Sequence, residues 1–215
     1  MWQIKIFCFN EFFENTYILY DELKNALVFD PGFSNAIEEK EFFDFIETNQ
    51  LKVIDIWNTH CHIDHIFGLE KLYQKTGINV KIHPAEQNFL DMSPLVAKTY
   101  HLKYVPYTGK ADYITDNFVS TRNSDIVKVF HTPGHSPGSI CFYFEKQKFV
   151  ISGDVLFYES IGRTDLPFGN QDDLLNSIKT NLLTLPTDTI VYSGHGKKTS
   201  IGYEIENNHF LKFYL

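Results

Sequence analysis

At 215 residues, with 43% hydrophobic and 16% aromatic content including 20 Phe and 12 Tyr, the chain has length for one large core and is not disordered. A formal charge of −8 argues against a broad nucleic-acid interface, and no apolar run approaches the ~20 residues of a membrane span. Three cysteines suit a reducing compartment better than a disulfide scaffold, and Glu11, Glu14 and Asp21 come too early for a signal peptide, so a single cytoplasmic domain over 1–215 is expected.

Residues 4–9, 15–21 and 25–29 read as strands, the third closed by the tight turn Asp30-Pro31-Gly32. Ile37, Phe42, Phe45 and Ile46 recur at roughly helical spacing and predict a helix over 37–49. Residues 51–58 form a short buried strand, 69–76 a helix with Gly77 as its C-cap, and 79–83 a strand halted by Pro84. Helix is expected over 86–101 with a break at Pro94, then loop and short strand over 105–121. Strands follow at 126–132, 139–144 and 149–151, the last two as a hairpin. An amphipathic helix over 170–183 opens with Asp172 and Asp173, a last strand covers 189–192, and a loop and helix carry His209 on the surface.

The chemistry gathers at four strand ends. Thr59-His60-Cys61-His62-Ile63-Asp64-His65 packs four metal-competent side chains into six positions. If the strand runs out near Thr59, His60 and His62 share a side, and a loop turning into a helix near Ile66 lets Asp64 and His65 converge with them. His135 sits between Pro133-Gly134 and Pro137-Gly138, which hold the backbone in a fixed loop. Asp154 ends a buried strand after Gly153, and His195 lies between Gly194 and Gly196 at another strand end. Cys61 points away from its histidine neighbours as a structural thiol, His131 is packed, and His83 is structural or exposed. Asp30 serves either its turn or a ligand histidine as an outer partner. Five histidines and two aspartates suit two divalent ions with one shared carboxylate, and these N and O donors leave zinc, iron and manganese open.

His60-x-His62-x-Asp64-His65 followed by Gly68 resembles the signature of the metallo-β-lactamase fold superfamily. The likeness continues through Asn15-Thr16-Tyr17, Asp30-Pro31-Gly32, Gly153-Asp154, the stretch from Gly162 to Pro167, and Gly194-His195-Gly196. It implies an α/β fold, a four-layer αββα sandwich of mixed sheets with helices on both outer faces. It also implies a division of ligands: His60, His62 and His135 on one ion, Asp64, His65 and His195 on the other, and Asp154 bridging. Zinc is the metal it favours, and Asp64 would orient a metal-bridging hydroxide.

Within that superfamily the chain looks most like the glyoxalase II-type hydroxyacylglutathione hydrolases in their short single-domain form. The resemblance implies a thioesterase acting on S-lactoylglutathione or a related small-molecule thioester, with no nucleic-acid or membrane partner. A mononuclear iron persulfide dioxygenase, a lactonase and a β-lactamase are the alternatives. Without an appended glutathione-binding domain, a glutathione site would draw on Arg163, Lys197 and Lys198, unless Arg163 pairs with Asp165 instead. Ser193 and Asn208-His209 replace prolines usual in such relatives, with local effects expected.

Overall fold

Two six-stranded mixed sheets carry the chain, each in its own compact unit. The computed structural model describes residues 1–115, 118–122 and 125–212. The first unit comprises Met1–Ile82 with Glu86–Tyr113, and the second His83–Ala85 with Ile114–Leu215.

In the first unit β1 (Gln3–Phe9), β2 (Glu14–Tyr20) and β3 (Asn25–Phe29) run antiparallel. The sheet continues in parallel through β4 (Lys52–Trp57), β5 (Val80–Ile82) and β6 (Ala111–Tyr113). Parallel neighbours need crossovers. These are α1 (Ala36–Thr48), α2 (Leu69–Thr76) and α3 (Gln87–Thr99). Asn35 starts α1 by accepting the N–H groups of Ile37 and Glu38 at 3.0 and 3.1 Å. Gly77 stops α2 at φ 69°, a left-handed cap that costs glycine nothing. Phe7, Phe9, Phe33, Phe42 and Phe43 dominate this core, with the Phe33 and Phe42 rings 4.8 Å apart. Each such buried ring contributes roughly 1.5–3 kcal/mol.

Two expectations change here. Ile37 is 82% exposed, and Phe43 takes a core place beside Phe42. Five residues of helix turn about 140° past a full revolution, so Ile37 lies off the stripe shared by Phe42, Phe45 and Ile46. Nor does Pro94 break its helix, since α3 runs straight through it. Proline removes the N–H that the Leu90 carbonyl would have accepted, and the Ser93 hydroxyl donates there instead at 2.7 Å.

The second unit's sheet has β7 (Val119–Arg122) and β14 (Thr199–Ser200) as its edges. Between them lie β8 (Asp125–His131), β9 (Ile140–Phe144), β10 (Phe149–Gly153) and β13 (Ile190–Ser193). The expected hairpin is β9–β10, with Phe149 opposite Phe144. The parallel pair β10–β13 is connected through the small hairpin β11 (Leu156–Phe157) and β12 (Ser160–Ile161), then α4 (Gln171–Ser177). The helix expected over 170–183 changes character part-way: α4, capped by Asn170, passes into a π-helical turn at Ile178–Leu182. α5 (Ile201–Asn207) follows β14, with His209 exposed beyond it. The short strand expected in 105–121 is β6, β7 opens at the end of that stretch, and residues 116 and 117 lie outside the described residues. Among the described residues no helix is long and apolar enough to cross a membrane.

Candidate metal centre

The first unit delivers its candidates just after β4. The strand ends at Trp57, earlier than the extended arrangement of His60 and His62 required, and residues 58–62 are irregular up to the one-turn 3-10 helix Ile63–His65. The imidazoles cluster nonetheless: His60 meets His62 edge-on at 4.7 Å between ring centroids and His65 at 4.1 Å. His60 and His65 are buried, while His62 and Asp64 keep some solvent access. The Asn58 amide closes the loop, donating to the carbonyls of His60 at 3.3 Å and His65 at 2.9 Å.

Asp30 is the hub beneath them. It accepts the Thr59 N–H on Oδ1 and the Thr59 hydroxyl on Oδ2, both at 2.7 Å, and Oδ2 lies 3.2 Å from His65 Nδ1. Of its two sequence readings, the structure shows Asp30 beside His65, a candidate ligand, with its backbone held at φ 47°. A left-handed non-glycine backbone costs roughly 1–2 kcal/mol, which the surrounding bonds must outweigh. The same network selects a tautomer. Thr59 has committed its proton to Asp30, so the oxygen 3.0 Å from His60 Nδ1 accepts the ring N–H and leaves Nε2 with the lone pair. Asp30 likewise draws the His65 proton to Nδ1.

Further support comes from β1 and β2. Glu14 is fully buried and lies with Asp30 and His65 in a group whose ligand atoms fall within 4.8 Å of one another. Burial pushes its carboxyl well above the ordinary carboxylate range. The Asn10 amide donates to the carbonyls of Gly32 at 2.9 Å and Asp64 at 3.0 Å. Gly32 must be glycine, since a Cβ there would lie 2.0 Å from Glu14 Oε2 and 2.6 Å from the Asp64 carbonyl oxygen. Cys61 is buried as expected, and burial pushes its thiol well up.

The second unit builds its set from three strand ends. His135 follows β8 and donates Nδ1–H to the Arg163 carbonyl at 2.8 Å, so its Nε2 also carries the lone pair. That Nε2 lies 3.5 Å from Asp154 Oδ2, and His195 Nε2 lies 3.4 Å from the same oxygen. Two ligands held ~2.0–2.2 Å from one tetrahedral ion stand about 3.3–3.6 Å apart, so this spacing fits a divalent cation. Gly162 presses on Asp154, where a Cβ would come within 1.9 Å of its carbonyl oxygen. His131 is packed as expected, bonded through Nε2 to the Pro137 carbonyl at 2.8 Å and stacked on His83 at 4.1 Å.

The substrate candidates divide. Arg163 forms a two-point pair with Asp165 at 2.7 and 2.8 Å, which holds the Asp165 carboxyl at about 2. Lys197 rests its ammonium 3.4 Å from the centroid of the Tyr158 ring, and Lys198 is exposed. Sequence reasoning missed Asn10, Glu14, Asn58, Thr59 and Glu86 as supports. The polar pair Asn58-Thr59 closing an apolar strand was a usable signal; nothing local marks Asn10 or Glu14.

A family model, the metallo-beta-lactamase superfamily, matches residues 9–195, which reaches from the end of β1 to the last candidate histidine. The chain belongs to the metallo-β-lactamase superfamily. It is a metallo-hydrolase of that class, and its fold is the superfamily's α/β fold with mixed sheets. A probable metallo-hydrolase of Bacillus subtilis, YqgX, is 39% identical over 92% of both chains. The hydroxyacylglutathione hydrolase GloC of Haemophilus influenzae is 33% identical over 97% of both. Among solved structures, BLEG-1, a B3 metallo-β-lactamase, superposes with a TM-score of 0.88 at 36% identity, covering 98% of this chain and all of that one. Superfamily membership and the imidazole–carboxylate donors agree on divalent metal, whose identity the N and O donor set leaves open.

Proposed function

We propose that the chain is a dinuclear thioesterase of the glyoxalase II type, hydrolysing S-lactoylglutathione or a related thioester. His60, His62 and His135 hold one divalent ion in this reading, Asp64, His65 and His195 the other, and Asp154 is shared. Support for the shared role comes from Asp154 Oδ2, which faces two imidazole nitrogens at nearly equal distance. The ions, zinc in the first instance, supply Lewis-acid polarisation of the thioester carbonyl and a water acidic enough to attack at neutral pH. The chain's own part is orientation: Asp30 and Thr59 fix the imidazole tautomers, and Asp64 aligns the attacking water. Lys197 and Lys198 lie after His195 and would meet the remote, charged part of the substrate, and Arg163, after Asp154, would join them by exchanging its exposed pair with Asp165. Three free cysteines accord with a cytoplasmic setting.

The substrate choice is carried by the likeness to the Haemophilus hydroxyacylglutathione hydrolase over 97% of both chains. The 36% identity to a B3 metallo-β-lactamase favours a second reading, hydrolysis of a β-lactam or lactone. Metal analysis and parallel assays on one sample decide between them. Two ions per chain with turnover of S-lactoylglutathione support the first. Metal-loaded protein that opens β-lactams or lactones and leaves thioesters intact refutes it. One iron with oxygen uptake on glutathione persulfide refutes both.

A further inference from the structure

We infer that Glu86 is a positioning residue for the metal centre, its buried carboxylate fixing the peptide between His60 and His62. The inference rests on the metal-binding reading above.

Glu86 ends the single 3-10 turn Pro84–Glu86 and immediately precedes α3. It is 0% exposed, and its Oε2 accepts the Cys61 N–H at 2.7 Å. Residues 58–62 belong to no strand, so this amide has no ladder partner in the sheet and takes a carboxylate in its place. Holding that one peptide plane sets ψ of His60 on one side and φ of Cys61, hence the entry to His62, on the other. A second contact comes from the same stretch: Phe89, three residues on, packs its ring edge-on against His62 at 5.6 Å and 72°. The start of α3 therefore grips the ligand loop twice, by backbone through Glu86 and by ring through Phe89.

Glu70 supplies a matched control. It is also buried in the first unit and accepts the Thr108 N–H at 2.7 Å, but it ties α2 to a segment that carries no candidate ligand.

The test titrates zinc into metal-stripped full-length protein against a chromogenic chelator, alongside the Tm of each metal-free variant. Glu86→Ala is expected to weaken one of the two ions about 10–100-fold, the usual cost of losing an outer partner. Glu86→Gln keeps an acceptor of the same shape and is expected to fold, with a smaller loss, about tenfold or less. Glu70→Ala is expected to lower the metal-free Tm and leave zinc affinity alone. Unchanged zinc affinity in folded Glu86→Gln and Glu86→Ala overturns the inference; should Glu86→Ala not fold, unchanged affinity in Glu86→Gln alone does so. An equal affinity loss in Glu70→Ala also overturns it, by reducing Glu86 to a structural carboxylate. Failure of the unaltered protein to take up zinc or any other divalent ion overturns the metal reading first and the inference with it.

Discussion

His60, His62, Asp64 and His65 fall within six consecutive positions, whereas His135, Asp154 and His195 stand at three separate strand ends. Adjacent residues cannot be aimed at one spot by strand geometry, so the first set leans on polar side chains from elsewhere: Asn10 after β1, Asp30 after β3, and Asn58 and Thr59 after β4. The second set is spaced by the sheet itself. One backbone carbonyl, from Arg163, and one close-packed glycine, Gly162, do much of the rest. Ligands crowded in sequence need side-chain scaffolding, and ligands spread over a sheet are largely placed by backbone. Substitutions in supporting residues should therefore matter most in the first set.

Loss of a ligand is the extreme case and should be alike in both sets. Asp154→Asn and His60→Ala are each expected to lower metal content and turnover by orders of magnitude, measured by elemental analysis and rate. Full stoichiometry in either would strike that residue from the ligands. Next in size is Asp30→Asn, which keeps the left-handed backbone but offers a donor where Thr59 and His65 need acceptors. Metal affinity should fall about 10–100-fold. A change in Tm alone would mean that the first set does not depend on its hub. Gly162→Ala probes the backbone-built set, where the intruding Cβ costs about 1–3 kcal/mol of stability by thermal unfolding. Gly77→Ala is its foil, since no atom lies within 4 Å of a Cβ there and the left-handed strain stands alone.

The smallest effect concerns Arg163. Its pair with Asp165 is exposed, so Arg163→Ala should barely move stability at neutral pH. The Asp165 carboxyl is depressed from 3.8 to about 2, so the pair's contribution is present above 3.8 and fades as pH falls toward 2. Acid-unfolding curves of the two proteins should converge there. In catalysis the same change is expected to raise KM and spare kcat; a fall in kcat would move Arg163 closer to the reacting atoms.

Much of this was legible in the chain. The four strand ends, the hairpin β9–β10 and the cap at Gly77 follow from period, punctuation and donor crowding, which are local properties. What escaped was set by partners distant in sequence. Nothing around Glu14 or Glu86 announces a buried carboxylate, because each is defined by partners distant in sequence, Asp30 and His65 for Glu14 and Cys61 for Glu86. Pro94 misled because its compensation, the Ser93 hydroxyl on Leu90, depends on a rotamer. Ile37 misled because an apolar residue near a helix start was counted with a stripe it does not join.

The left-handed backbone at Asp30 narrows what evolution can place there. Its φ of 47° admits glycine, asparagine and aspartate readily and discourages branched or bulky residues. Its two oxygens, facing Thr59 and His65, call for a carboxylate of that length. Only aspartate satisfies both filters. A saturation library at position 30, sorted once for folding and once for metal retention, should return glycine and asparagine beside aspartate from the first sort and aspartate alone from the second. Drift at this site would then leave proteins that accumulate normally in the cell and do nothing, a loss that abundance measurements would not detect.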